Sequence, residues 1–187
     1  GTLGGNIANA AACADSLPAL VCLDAVARVA PKLGDEDWPV SDLVIGPNRT
    51  QIPTGGLIIS FHYHVPQQGS RSVFLKLGRR NAMAISRLTI AALGCLDAEG
   101  RIAEARFVPG SATPRICHFK DVEECLTGQV PSQELFQKAA MYAVDEMARL
   151  AGRRWSSEFK EPTLIAMTVR ALSQIFEPEK NATRRQV

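Results

Sequence analysis

At 187 residues, 46% hydrophobic and 21% charged, the chain can bury a core of ordinary size in one or two domains. A formal net charge of +2 excludes a strongly basic nucleic-acid binder, and the pairs Arg79-Arg80, Arg153-Arg154 and Arg184-Arg185 read as solvated charge. Five cysteines without CxxC spacing argue against an iron-sulfur or zinc site, and no charged leader or apolar run of roughly 20 residues appears, so a cytoplasmic protein with reduced thiols is expected.

The first stretch, Gly1 to Asp15, reads GTLGGNIANAAACAD. Gly4 and Gly5 let the backbone take positive φ and approach a ligand without an intervening Cβ, which suits a phosphate held by N–H groups. A plain turn is the other reading of the same pair. Asp15-Ser16 then starts a helix expected over Ser16 to Asp24, with Pro18 in its first turn, and its positive end facing back to the glycines. A strand follows over Ala25 to Ala30, then a turn over Pro31 to Asp37, a short apolar stretch Leu43 to Ile45, and a strand over Leu57 to Val65 after Gly55-Gly56. His62 and His64, at i and i+2 on that strand, would share a face, as a metal pair or as two exposed imidazoles.

Pro66 to Ser70 is polar and turn-rich, and places a subdomain boundary there. Strands are expected over Ser72 to Leu77, Ser86 to Asp97 and Arg101 to Val108, the last two joined by a hairpin at Ala98-Glu99-Gly100. Leu88, Ile90, Ala92 and Gly94 would then share one face. From His118 the apolar period becomes helical: a short helix ends at Gly128, and a longer one runs from Ser132 to Arg149 with Ser132 as its N-cap. Leu135, Ala139, Met141, Tyr142 and Met147 are expected mostly on its core side, and a last helix spans Pro162 to Phe176. The residues alone therefore predict an α+β chain with a charged tail.

Thr2-Leu3-Gly4-Gly5-Asn6-Ile7-Ala8-Asn9, followed by Ala14 to Leu20, resembles the second FAD-binding motif of the flavin subunits in the xanthine dehydrogenase and carbon monoxide dehydrogenase family. Phe74 to Ser86, FLKLGRRNAMAIS, resembles the segment that opens the C-terminal domain of the same subunit. The resemblance implies an FAD-binding (medium) subunit of the molybdopterin dehydrogenases. Residues 1–67 would be the C-terminal part of the FAD-binding α+β subdomain. Residues 70–177 would be a C-terminal domain with a small antiparallel sheet packed on helices, and 178–187 a tail. The family's first glycine-rich FAD motif precedes the TLGGN stretch, so the chain is expected to be the C-terminal part of such a subunit.

By that resemblance Thr2, Leu3, Gly4, Gly5, Asn6, Asn9, Asp15, Ile58 and Lys76 contact FAD, with Asp15 also starting the helix at Ser16 and Ile58 lying against the flavin. Lys76, beside Phe74 on one strand face, is either a cofactor contact or an edge-strand guard against sheet pairing. No catalytic set is expected: Ser60, His62 and Asp42 make a triad only on paper, and Cys13 at the glycine turn is an activated thiol or a small packed residue. The implied role is electron transfer from a molybdopterin-binding large subunit and a 2Fe-2S small subunit through FAD to NAD or another acceptor. The alternative is a scaffold or subunit-interaction module that binds no flavin.

Overall fold

The computed structural model describes residues 1–30, 34, 36–78, 85–153 and 157–177. The expectations for the turn at 31–33 and 35, for Arg79 to Ala84, for Arg154 and for the tail from 178 lie outside these residues. The chain divides into two compact units: Gly1–Pro66 with Lys76–Thr89 and Val108–His118, and Gln67–Leu75 with Ile90–Phe107 and the described residues from Phe119 onward.

The first unit opens with helix α1, Leu3–Asn9, capped by Thr2, whose hydroxyl accepts the Gly5 N–H at 3.0 Å. Gly4 and Gly5 therefore lie in a helical turn without positive φ, which corrects the expected glycine turn. The left-handed residue is Ala10, where α1 ends with its N–H on the Ile7 carbonyl. Helix α2, Ser16–Cys22, buries Leu17, Leu20 and Val21. Strand β1, Val26–Ala30, buries Ala27 and Val29 by strict alternation, and β2 is Glu36–Pro39. Glu36 and Asp37, expected in a turn, are thus paired strand residues. Next come α3, Val40–Leu43, the short strands β3, Val44–Gly46, and β4, Arg49–Thr50, and then β5, Leu57–His62. An antiparallel sheet forms in the order β2-β1-β5, with a bulge at Arg28/Val29 against β5. β5 stops at His62, so His64 is not on the strand and the expected same-face pair does not form.

Strands β6, Arg71–Gly78, β7, Ser86–Leu96, and β8, Ile102–Gly110, make a three-stranded sheet in that order. Gly100, at φ 76°, turns the hairpin, and Asp97 Oδ1 accepts the N–H groups of Glu99 and Arg101. From Leu88 to Cys95 every residue of β7 is buried, so the opposite face is covered as well as the expected one of Leu88, Ile90, Ala92 and Gly94.

The second unit adds α4, Lys120–Leu126, α5, Gln133–Ala151, and α6, Ser157–Phe176. Ser132 caps α5 by accepting the Leu135 N–H at 3.1 Å. The buried stripe of α5 is Phe136, Ala139, Ala140, Ala143, Val144 and Met147, whereas Met141 and Tyr142 are exposed. Successive steps of three and four from Phe136 leave those two on the far side of the cylinder. α6 begins five residues before the expected Pro162, which sits in its second turn.

Two details of this unit set its stability. Phe176 stacks on Phe136 with centroids 6.2 Å apart, and the space a Cβ would need at Gly94 is taken by the Phe176 ring and by the Glu104 carbonyl at 2.8 Å. Gly94→Ala should destabilise the protein by about 1–3 kcal/mol in urea unfolding, with part recovered when Phe176→Leu is added. Burial first, then the charge of Asp121, raises the Glu146 carboxyl above the ordinary 4.5, against the Asp121 and Lys120 N–H groups that it accepts at 3.2 Å and the charge of Arg149. A carboxyl with a raised pKa holds its proton more tightly in the fold, so its contribution to stability is present at low pH and is lost as pH rises from about 4.5 through the folded value. Glu146→Gln should flatten that part of the stability profile, measured by urea unfolding across pH.

Candidate functional site

Thr2 ends the chain's extended entry at φ −101° and ψ 157° and turns it into α1. Helical geometry leaves the first N–H groups without carbonyl partners inside the helix, and Thr2 Oγ1 satisfies only that of Gly5. Gly4 brings this turn against β5: a Cβ there would lie 3.2 Å from the Ile58 carbonyl oxygen and 3.5 Å from the Ile58 Cβ. Gly56, at the entry to β5, is packed as closely, with its virtual Cβ 3.0 Å from both the Ile52 side chain and the Pro53 carbonyl. The helix start and the strand enclose an open, largely apolar cavity of about 510 Å³ lined by Thr2 to Gly5, Ala8, Ile52 and Gly56 to Phe61. Its volume falls within the range of about 300–1,000 Å³ usual for ligand pockets.

The structure thus brings five of the nine expected residues, Thr2, Leu3, Gly4, Gly5 and Ile58, to one cavity. Asn6 faces elsewhere, its Oδ1 taking a short bond from the Ser16 hydroxyl, and Asn9 is exposed at the end of α1. Asp15 and Lys76 form a second cluster. Lys76 Nζ lies 2.6 Å from Asp15 Oδ2, and the hydroxyl of Ser86 donates to Asp15 Oδ1 at 2.5 Å. Asp15 makes no side-chain cap to α2 and has helical φ and ψ, so the helix-starting role expected of it is not observed. Its carboxylate reaches across to the β6 and β7 residues instead. Phe74 and Lys76 do share the exposed side of β6.

The paper triad is not assembled. Ser60 Oγ and His62 Nε2 are 2.9 Å apart, but the Asp42 carboxylate is taken by Arg115 at 2.7 Å. Cys13 is half-buried in the turn after α1. Among the described residues no group of three or more His, Cys, Asp or Glu side chains could hold a metal ion, and no helix is long and apolar enough to cross a membrane. Sequence reasoning missed the cavity wall formed by Ile52, Gly56, Ser60 and Phe61, although Gly55-Gly56 marked the start of the strand. Ser86 closes the FLKLGRRNAMAIS segment, but nothing in its own type pointed to Asp15.

These residues fit part of a flavin nucleotide: a turn of N–H groups kept clear of Cβ atoms for an anion, and apolar strand residues for a flat or aliphatic portion. Residues 1–68 match the family model described as the FAD binding domain in molybdopterin dehydrogenase, and residues 73–175 match that of the CO dehydrogenase flavoprotein C-terminal domain. A putative xanthine dehydrogenase FAD-binding subunit of Escherichia coli is 26% identical over 92% of this chain and 59% of its own length. A xanthine dehydrogenase of Blastobotrys adeninivorans is 30% identical over 77% of this chain and 10% of its own. In fold the chain is similar to a reconstituted CO dehydrogenase from Oligotropha carboxidovorans, with a TM-score of 0.84 at 21% identity over 95% of this chain and 61% of that one. The chain thus spans about three fifths of the length of the bacterial subunits it matches. With both family models matched in this order, it belongs to the family of FAD-binding (medium) subunits of the molybdopterin dehydrogenases.

Proposed function

We propose that this chain is part of the flavin component of a molybdenum hydroxylase, and that its first unit holds FAD. The observation that carries the reading is Gly4, whose missing Cβ lets a helical turn with free N–H groups close on Ile58 and form the cavity. Thr2 to Gly5 would hold the pyrophosphate, with Thr2 keeping the turn in register, and Ile58 would lie along the cofactor. Asn6 and Asn9 of α1, Asp15 in the turn after it and Lys76 of β6 would meet its remaining polar groups outside that cavity. The flavin, when bound, supplies the redox chemistry; the chain binds it, orients it and tunes its surroundings. Molybdopterin and 2Fe-2S centres belong, on this reading, to a large and a small partner subunit that deliver electrons, and NAD or another acceptor removes them in the cytoplasm. Residues 1–67 and 70–177 would divide the labour between flavin binding and a C-terminal domain. One competitor is a scaffold that binds no flavin, favoured by the engagement of Asn6 with Ser16 and of Asp15 with Lys76 away from the cavity.

Intact mass together with the visible spectrum of the purified protein tests the reading directly, since a flavoprotein carries the absorbance of a bound flavin and the scaffold carries none. Gly4→Val places a branched side chain against the Ile58 carbonyl, so flavin content should collapse while the second unit keeps its thermal transition; undiminished flavin would refute the site. Gly5→Val should act in the same direction by displacing the Thr2 hydroxyl, which lies 3.0 Å from its virtual Cβ. Asp15→Asn keeps an acceptor for Ser86 but loses the charge opposite Lys76. Because a half-exposed ion pair adds only about 0–1 kcal/mol to stability, flavin affinity should fall more than the thermal midpoint. A large loss of stability with intact binding would make Asp15 purely structural.

A further inference from the structure

The turn from Ala10 to Asp15, between α1 and α2, is gripped by side chains from two distant stretches of the chain. Ser111 Oγ donates to the Ala12 carbonyl at 3.1 Å, with the Ser86 carbonyl at 3.4 Å as the alternative acceptor for the same proton. Ser86, only 6% exposed, donates its own hydroxyl to Asp15 at 2.5 Å, where Lys76 also binds. Ser111 has a φ of 59°, a left-handed conformation that a residue other than glycine, asparagine or aspartate holds only when its surroundings impose it. The preceding residue, Gly110, is closely packed: a Cβ there would collide with the Thr89 hydroxyl and lie 2.9 Å from Pro18 Cγ in α2. The chain thus passes from a tightly packed glycine into a left-handed serine whose hydroxyl bonds the turn.

All of these residues lie in the first compact unit, although Lys76, Ser86 and Ser111 belong to the sequence matched by the C-terminal domain model. We infer that Ser111 and Ser86 are positioning residues for the cofactor turn, an inference that rests on the flavin reading of this unit. Ser111 fixes the Ala12 carbonyl and Ser86 fixes the Asp15 carboxylate. Between them they set the direction in which α1, with Gly4 and Gly5, leaves the turn. Flavin affinity then depends on hydroxyls outside the stretch that matches the FAD-binding model and outside the cavity itself.

The test compares the whole chain with Ser111→Gly, Ser111→Ala and Ser111→Asn, reading FAD affinity by titration, thermal stability, and hydrogen exchange of the amides from Ala10 to Asp15. Glycine removes the hydroxyl while relieving the backbone, whereas asparagine tolerates positive φ and retains a donor. Ser111→Gly should leave the thermal midpoint nearly unchanged, weaken FAD binding by about tenfold, the upper end for one neutral hydrogen bond, and speed exchange in the turn. Ser111→Ala should lose both affinity and stability, and Ser111→Asn should recover affinity. Unchanged exchange at Ala10 to Asp15 in Ser111→Gly, or affinity that only tracks stability across the three variants, would overturn the inference. If the wild-type chain takes up no FAD, the flavin reading falls by itself, and the exchange of the turn still decides whether Ser111 positions it.

Discussion

The carboxylate of Asp15 is the point on which the first unit is gathered. It sits at the end of the turn after α1, and it is met by a lysine 61 positions and a serine 71 positions further along. Half-exposed, this ion pair contributes little free energy, about 0–1 kcal/mol. Its importance is geometric: two bonds from separate strands fix both carboxylate oxygens, which holds the start of α2 in place. The next residue, Ser16, then bonds Asn6 of α1, so the same corner ties the two helices together. The apolar interior supplies the energy that lets so polar a corner persist, with Ile7, Leu17 and Val21 almost fully buried beneath it.

Around the cavity, glycine acts by its size. At Gly4 and Gly56 it is small rather than permissive: the backbone conformations are ordinary, and the missing Cβ lets α1 approach Ile58 of β5 and lets the loop at Gly56 pack against Ile52, Pro53 and Val29. Beside the turn between α1 and α2, positive φ falls on residues that are not glycine, Ala10 and Ser111. A strained backbone beside a candidate binding turn persists only if packing over-determines it, and Pro18 and Thr89 provide that packing around Gly110.

Much of the fold could be read from periodicity, because burial imposed it. Val26–Ala30, the hairpin at Gly100 and the capped α5 all follow from alternation, turn chemistry and an N-cap serine. The errors have a common origin in groups whose partners are remote. Met141 and Tyr142 read as inward from their apolar character, yet the stripe starting at Phe136 leaves them outside. Asp15 stood where an N-cap usually stands, and local reasoning could not know of Lys76 and Ser86. The TLGG stretch was placed at the site from its resemblance, but its helical form depends on Thr2 Oγ1 taking the Gly5 N–H, a bond equally compatible in sequence with a tight turn. Phe61 reaches the cavity on β5, paired with Ala27 of β1, and Ile52 reaches it from the loop before β5; no local pattern encodes either placement.

The charges of the first unit also bear on what its cavity can bind. Arg28 is held by Asp37, Lys76 by Asp15 and Arg115 by Asp42, each within 2.8 Å. The Arg28 guanidinium in turn holds the Asp37 carboxyl below its usual range, through the hydrogen bond first and its charge second. These three cations are engaged with carboxylates, and none of them lines the cavity. An anion entering there would meet backbone N–H dipoles at the start of α1 and the Ser60 hydroxyl, with apolar side chains around them. Such a setting favours a ligand that joins a compact anionic group to a large apolar surface. A free phosphate would gain the dipoles but leave the strand side chains uncovered, and a purely apolar ligand would bury the N–H groups of Leu3 and Gly4 without a partner, at a cost of about 1–3 kcal/mol for each group. On the proposed reading, a nucleotide-linked aromatic cofactor would answer both requirements at once.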